Sequence, residues 1–339
     1  MSAQKKILVL GASGAMGQYL VPKLLERNFA VDAVALDETP RQEGQLRFMN
    51  FDAFDMDTLQ PLLEENHYDA IVDFLIYNTS RAYVFLPQML KNTDHYIYLS
   101  SYRVYDNKQI PVTEEAPRLI DASGDELLRN SDDYCIFKAR GEDILRASGI
   151  KNWTIVRPAI TYSKMRYQLV TLEAYQTVAR AVKGKSVILP AAAADIQGTM
   201  TWAGDVAEMF ARLILNPVAL GETYTLATAE HHTWREIAEY YHDICNLNAV
   251  WVDTEDYLKI TCGKTYSYFP NRRWQLIYDR LFDRIIDNSK ILKAVNMQQS
   301  DMRKLYDGLK YEISRFEMPE KWQNLTDPMD DYLAAMNMK

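Results

Sequence analysis

The stretch Lys5-Lys6-Ile7-Leu8-Val9-Leu10-Gly11-Ala12-Ser13-Gly14-Ala15-Met16-Gly17 decides how the rest of the chain is read. Its apolar half reads as a buried strand, and glycines at 11, 14 and 17 mark a turn that opens a helix. Glycine tolerates unusual φ and lets backbone approach a pyrophosphate closely. The bare amides at the helix start attract an anion. Strand, glycine turn and helix in that order make a phosphate-binding βα unit.

Working outward, Met16, Leu20, Leu24 and Leu25 keep helical spacing, and residues 29–36 read as a second strand closing at Asp37. Asp37 lies about 20 residues past the glycine turn, where a dinucleotide fold places the carboxylate that bonds the adenosine ribose. The plainer alternative is a strand-end turn aspartate. Further strands are predicted over 46–51, 70–76, 95–99 and 153–156, with helices over 57–66, 81–91 and from Asp132 or Asp133 to about Ala147. This alternation implies βαβ units, hence α/β class and a Rossmann-type doubly wound parallel sheet.

Beyond residue 165 the rhythm loosens. The pattern predicts a helix over 169–182, a strand over 186–189, a helix over 205–215 and a strand over 222–227 that returns to the main sheet. Thr233 and Glu236 have capping-box spacing before a helix over 233–245, and the tail from Asp287 reads as mostly helical. The expected organisation is an NAD-binding unit over 1–165, joined by a returning segment about 203–228. A smaller mixed α/β lobe over 166–339 is then laid on the carboxyl edge of the sheet and binds substrate. The polar connection 106–132 has the length of an active-site cover.

Composition bounds the partners. With 339 residues, 48% hydrophobic and 25% charged, the chain is ordinary for a globular protein, and its net charge of -8 argues against nucleic acid or an anionic membrane as partner. Cys135, Cys245 and Cys262 are odd in number and have no CxxC spacing, so neither a disulfide framework nor a zinc knuckle is expected. His231, His232 and His242 lack metal-ligand spacing, and no metal is expected. With no apolar run of spanning length and no signal-peptide core, a soluble cytoplasmic protein is expected.

The chemistry-bearing pair is Tyr134 and Lys138, four positions apart and so on one helix face. A free tyrosine, with a pKa of about 10, is a poor base at neutral pH, but a neighbouring ammonium favours its phenolate. Such a phenol can take a proton from an alcohol as hydride leaves the same carbon. Ser100-Ser101 ends the strand before it, where a hydroxyl can hydrogen-bond the reacting oxygen.

On these pieces the chain resembles an extended short-chain dehydrogenase/reductase of the NAD-dependent epimerase/dehydratase type. The matching stretches are the glycine turn, Asp37, Asp52, Leu99-Ser100-Ser101-Tyr102-Arg103-Val104-Tyr105, Tyr134-Cys135-Ile136-Phe137-Lys138 and Arg157-Pro158, in the family's order. The resemblance implies that Gly11, Gly14 and Gly17 shape the pyrophosphate turn, with Ser13, Ala15 and Met16 near the phosphates. It implies Asp37 on the ribose, favouring NAD over NADP, with Asp52 and Ala53 at adenine. Phe74, Leu75, Ile76 and Ser100 would line the dinucleotide, and Pro158, Ala159 and Ile160 would border the nicotinamide. Ser101, Tyr134 and Lys138 would be catalytic, Tyr134 and Lys138 also touching the cofactor. Relatives commonly pair through helices here over 81–91 and 132–147, which implies a homodimer.

The pattern also departs from the family. Tyr102 and Arg103 stand where a sugar 4,6-dehydratase carries an Asp-Glu pair. Gly198 stands seven residues before Asp205, where many nucleotide-sugar epimerases carry an arginine that clamps the diphosphate. Arg272, Arg273, Arg280 and Arg284 offer another anion site, although the plainer reading of that basic helix is a solvated face. Tyr257, Tyr266 and Tyr268 read as packing or surface residues rather than a stacking platform. The expected activity is NAD-dependent oxidation or epimerisation at a secondary alcohol of a small molecule, a sugar or nucleotide sugar. The rivals are a non-catalytic dinucleotide-binding regulator or RNA-associated relative, and an NADPH-dependent carbonyl reductase.

Overall fold

The computed structural model describes residues 4–263 and 270–336, with the side chains of 270–272 left aside. Tyr266, Tyr268 and the Arg272 side chain therefore lie outside the described residues. Seven strands form one parallel sheet. They are β1 (Lys6–Leu10), β2 (Ala30–Val34), β4 (Leu46–Met49), β5 (Tyr68–Asp73), β6 (Thr93–Leu99), β7 (Trp153–Val156) and Glu222–Tyr224. An antiparallel edge strand β3 (Arg41–Glu43), not predicted from the sequence, folds back on β4. Across the sheet the order is Glu222–Tyr224, β7, β6, β5, β1, β2, β4, β3. The order reverses beside β1, which is where a doubly wound sheet opens a crevice at its carboxyl edge.

Period-two alternation decides which side chain meets which layer. Ile7, Val9, Val31, Ala33, Val72 and Ile97 pack with Leu20 and Leu24 of helix Gly17–Glu26 and with Val206 and Phe210 of helix Ala203–Leu213. Leu8, Leu10, Ile71, Tyr96, Tyr98 and Ile155 face the other way. They meet Leu59 and Leu63 of Met56–Glu65, Phe85, Leu86 and Met89 of Thr79–Lys91, and Leu145 of Tyr134–Ala147.

A third cluster gathers Tyr102, Tyr105, Tyr162, Tyr167, Trp234, Tyr241 and Leu276 over the carboxyl edge. Small parallel pairs frame it: Ile160–Tyr162 with Met200–Trp202, and Val187–Pro190 with Ala249–Val252. Strand Glu222–Tyr224 does return to the main sheet, beside β7.

The helix expected over 169–182 is replaced by a doubled-back segment. Leu169 and Leu172 exchange backbone hydrogen bonds, Val170 has φ 53°, and only Val178–Val182 is α-helical. Its apolar spacing belongs to a stretch buried nearly all round, so there is no solvated face for a helical period to mark. Among the described residues no helix is long and apolar enough to cross a membrane.

Candidate functional site

A cleft of about 540 Å³ runs along the carboxyl edge. The glycine turn, Val34, Asp37, Phe51, Asp52, Ala53 and Phe54 line one end, and Arg166, Gln168, Glu173, Gln275 and Arg280 line the other. Phe74, Leu75, Ile76, Ser100, Ser101, Tyr134, Pro158, Ala159 and Ile160 lie along it between them.

The turn is closely built. Gly11 has φ 77°, a value its neighbours make costly for any residue with a Cβ, and the Gly11 and Ala12 amides both donate to Val34 O at 3.0 Å. A Cβ at Gly17 would stand 2.5 Å from Ala12 O, so helix Gly17–Glu26 starts directly beneath the loop. No side chain caps that helix and its first turn holds no acid. The amides of Ser13, Ala15, Met16 and Gly17 donate to no group among the described residues. A row of orphan donors at a helix start, over a floor where a Cβ does not fit, matches an anionic group such as a dinucleotide's pyrophosphate. Ser13 Oγ donates to Asp37 Oδ1 at 2.5 Å, which ties the turn to the exposed carboxylate three residues past the second strand.

Helix Tyr134–Ala147 supplies the pair. Asp133 caps it by accepting from the Cys135 amide. Gly141 lets it lie close on β6, because a Cβ there would meet the Tyr98 hydroxyl at 2.1 Å. Tyr134 is half-buried at the cleft; Lys138, fully buried, has its Nζ 5.8 Å from the Tyr134 ring centroid and donates to Leu99 O at 2.5 Å. Burial pushes the Lys138 ammonium down to about 8, against the opposing pull of Asp73 and Glu142. Ser101 is buried at the cleft wall, its Oγ accepting from the Arg103 amide at 3.2 Å. Ser100 turns its hydroxyl the other way, donating to Glu142 Oε1 at 2.6 Å.

Several residues that organise the site carry no motif. Glu142, one turn beyond Lys138, is fully buried and takes paired bonds from Arg157, Nε at 2.7 Å and Nη2 at 2.6 Å. Burial works to raise its carboxyl, but Arg157, Arg146 and Ser100 outweigh it and hold the group at about 2. The network ties helix, β6 and β7 together at their carboxyl ends. Ser100 and Arg157 fall in stretches already singled out in the sequence, whereas the only sequence signal for Glu142 is the four-residue step from Tyr134 through Lys138.

At the far end Arg280 and Arg284 are buried, where a solvated face was expected. The reason is a partner at the same depth. Asp279, 0% exposed, accepts from Arg280 Nη1 and, at 3.2 Å, from Arg284 Nε. Arg280 also donates to Tyr102 OH at 2.8 Å, Val170 O at 2.7 Å and Gln168 Oε1 at 3.2 Å. Arg273 pairs with Glu255 at 3.1 Å. Trp234 explains Gly198: a Cβ there would press on the indole at 3.1 Å. His232 pairs with Glu230 at 2.9 Å ahead of the Thr233–Glu236 capping box.

Comparison with known proteins agrees with this geometry. Residues 11–187 match the family model described as NAD(P)H-binding. No curated protein matches in sequence. The dTDP-glucose 4,6-dehydratase of Bacillus anthracis, solved with NAD, superposes with a TM-score of 0.69 at 16% identity, covering 94% of this chain and 98% of that one. The UDP-glucose 4-epimerase of Thermotoga maritima, solved with UDP-glucose, gives 0.66 at 15% identity, covering 91% and 97%. That of Thermus thermophilus, solved with NAD, gives 0.65 at 17% identity, covering 92% and 98%. At these identities the likeness is one of fold.

Proposed function

The chain belongs to the NAD(P)H-binding family and has the extended short-chain dehydrogenase/reductase fold, and from that premise we propose that it is an NAD-dependent oxidoreductase or epimerase acting on a secondary alcohol of a sugar or sugar-like molecule. The observation that carries the reading is that Ser101 and Tyr134 line the cleft that also holds the orphan amides of the glycine turn, with the buried Lys138 Nζ 5.8 Å behind the Tyr134 ring centroid. The bound dinucleotide supplies a hydride acceptor.

The chain's own residues do the rest. Ser101 Oγ, fixed by the Arg103 amide, orients the substrate oxygen. Tyr134 takes the hydroxyl proton as hydride departs from the carbinol carbon, and Lys138, its Nζ 5.8 Å from the ring centroid, favours the phenolate. Return of hydride to the other face of the carbonyl carbon, with the proton going back from Tyr134 to its oxygen, inverts the centre; release at the keto stage makes a dehydrogenase. The buried walls Pro158, Ala159 and Ile160 keep water from the reacting carbon. Asp37 supports NAD over NADP, since a carboxylate repels a 2'-phosphate. Among the exposed apolar side chains are Tyr83 and Val84 on helix Thr79–Lys91, which supports a homodimer through that helix.

Tyr134→Phe tests the mechanism. Turnover, followed by nicotinamide absorbance over a panel of sugars and alcohols, is expected to fall by about a thousandfold or more while NAD affinity stays nearly intact. Unchanged turnover in the variant sinks the reading.

A further inference from the structure

The reacting end of the cleft carries a guanidinium, that of Arg103, whose side chain has ion-pair neighbours but no direct hydrogen bond among the described residues. Arg103 follows Ser101 by two residues, lines the cleft, and stacks its guanidinium 5.1 Å from the Tyr134 ring centroid. Its nearest carboxylates, Asp133 and Asp279, stand at 3.6 and 3.7 Å, and its side chain makes no hydrogen bond to any described residue. Both carboxylates are engaged elsewhere: Asp133 caps its helix, and Asp279 is held by Arg280 and Arg284. Arg166 lines the same cleft, and its side chain has no hydrogen-bond or ion-pair partner among the described residues. Arg280 completes the wall, with Gln168 bound to it. Among the described residues that line the far end, Glu173 is the carboxylate, and it accepts from Gln168 Nε2.

A guanidinium that is mostly buried and lacks a hydrogen-bonding partner is a costly arrangement to keep in a folded protein unless a ligand completes it. Arg103 therefore reads as a binding group. We propose that the substrate is an anion, and that Arg103 and Arg166 hold a carboxylate or phosphate borne by the substrate close to the alcohol that Tyr134 deprotonates. The inference rests on the oxidoreductase reading and narrows its substrate class.

Position separates this from recognition of a remote diphosphate. The site follows the Ser101 turn and lies on the Tyr134 ring, so an oxyanion on Arg103 sits beside the reacting end of the cleft rather than at a remote end of the substrate. The place where a distant clamp would stand is shut, because Trp234 fills the space beside Gly198. A hydroxy acid such as a sugar acid, or a sugar phosphate esterified near the oxidised carbon, meets these demands. A neutral sugar brings Arg103 and Arg166 no charged acceptor.

The test uses the full-length protein saturated with NAD and titrated by calorimetry with malonate and, separately, inorganic phosphate. Both wild type and Tyr134→Phe are expected to bind one or both anions, and Arg103→Gln is expected to bind them about 10- to 100-fold more weakly. Arg103→Lys recovers part of the affinity, since it restores charge but not the planar fork. Arg166→Gln, which removes a side chain with no partner to lose, keeps the test open if Arg103→Gln does not fold.

A turnover panel then compares sugar acids, sugar phosphates, UDP-glucose and the neutral parent sugars. The better of the first two classes identifies carboxylate or phosphate. Failure of both anions to bind wild type, or equal binding by wild type and both glutamine variants, overturns the proposal. So does turnover of neutral sugars or UDP-glucose that Arg103→Gln leaves unchanged. Anion binding that needs Arg103, with turnover indifferent to Tyr134→Phe, would instead leave the anion site standing and remove the oxidoreductase reading.

Discussion

The two ends of the cleft are made of different materials. At the glycine end the binding atoms are backbone amides within residues 13–17, and a single side chain, Ser13, ties them to Asp37. At the other end they are guanidiniums brought together from separate parts of the chain, with Arg280 donating to Tyr102 across 178 residues of sequence. A backbone cradle needs only small residues and a helix start, so it can serve any dinucleotide. A side-chain cluster depends on each charge finding or lacking its partner, and the proposed anion site places substrate choice there.

The largest effect is expected from removing the strut beneath the middle of the cleft, between the two ends. Glu142 joins Ser100, Arg157, Arg118 and Arg146 beneath the cleft. Glu142→Ala leaves Arg157 buried without its carboxylate and is expected to cost about 3–5 kcal/mol, read as a large fall in thermal midpoint and in denaturant resistance. Its folded pKa of about 2 lies below the ordinary 4.5. The stabilisation it contributes is therefore complete above about 4.5 and lost as pH falls toward 2. Acid titrations of unfolding should lose that dependence in the variant. A variant as stable as the wild type would mean that the buried Glu142–Arg157 pair does not hold the middle of the cleft together.

A smaller effect should separate the ends. In Gly17→Val the new Cβ collides with Ala12 O, displacing the loop from the helix start. NAD affinity, measured by titration, is expected to drop about 10- to 100-fold while malonate affinity at the arginine end changes little. A parallel loss of both would show that the anion binds on the cofactor rather than on Arg103.

The same contrast governs what can be read from sequence. The glycine turn, Asp37, the alternating strands and the Tyr134–Lys138 step are local patterns of period two, three or four, and local patterns survive in a string of letters. Gly198 was visible as a departure, but its cause, the Trp234 indole, lies 36 positions away. Arg280 and Arg284 looked like a solvated basic face because the pattern cannot tell that Asp279 is buried with them. Arg103 was legible only as the wrong residue for a dehydratase; its stacking on Tyr134 and its lack of a hydrogen-bond partner are facts of packing. The stretch 169–182 misled for a related reason, since helical spacing and a buried doubled-back loop place apolar residues alike.

The smallest of these effects falls on the one side chain through which the backbone end makes a choice. Asp37 is exposed and bound to Ser13, so its carboxylate sits at the rim where the adenosine ribose is expected. An intact carboxylate accepts from a ribose hydroxyl and repels a 2'-phosphate, and solvent screening limits both effects at an exposed position. The wild type should therefore prefer NADH to NADPH in direct titration, and Asp37→Ser, which removes the charge but keeps an acceptor, should erode that preference by roughly tenfold. Since the amide cradle is untouched, NADH affinity itself should fall only a few-fold. A wild type that binds the two dinucleotides alike would place cofactor choice, like substrate choice, outside the glycine turn and its aspartate, and the contrast between a generic end and a selective end would then hold without exception.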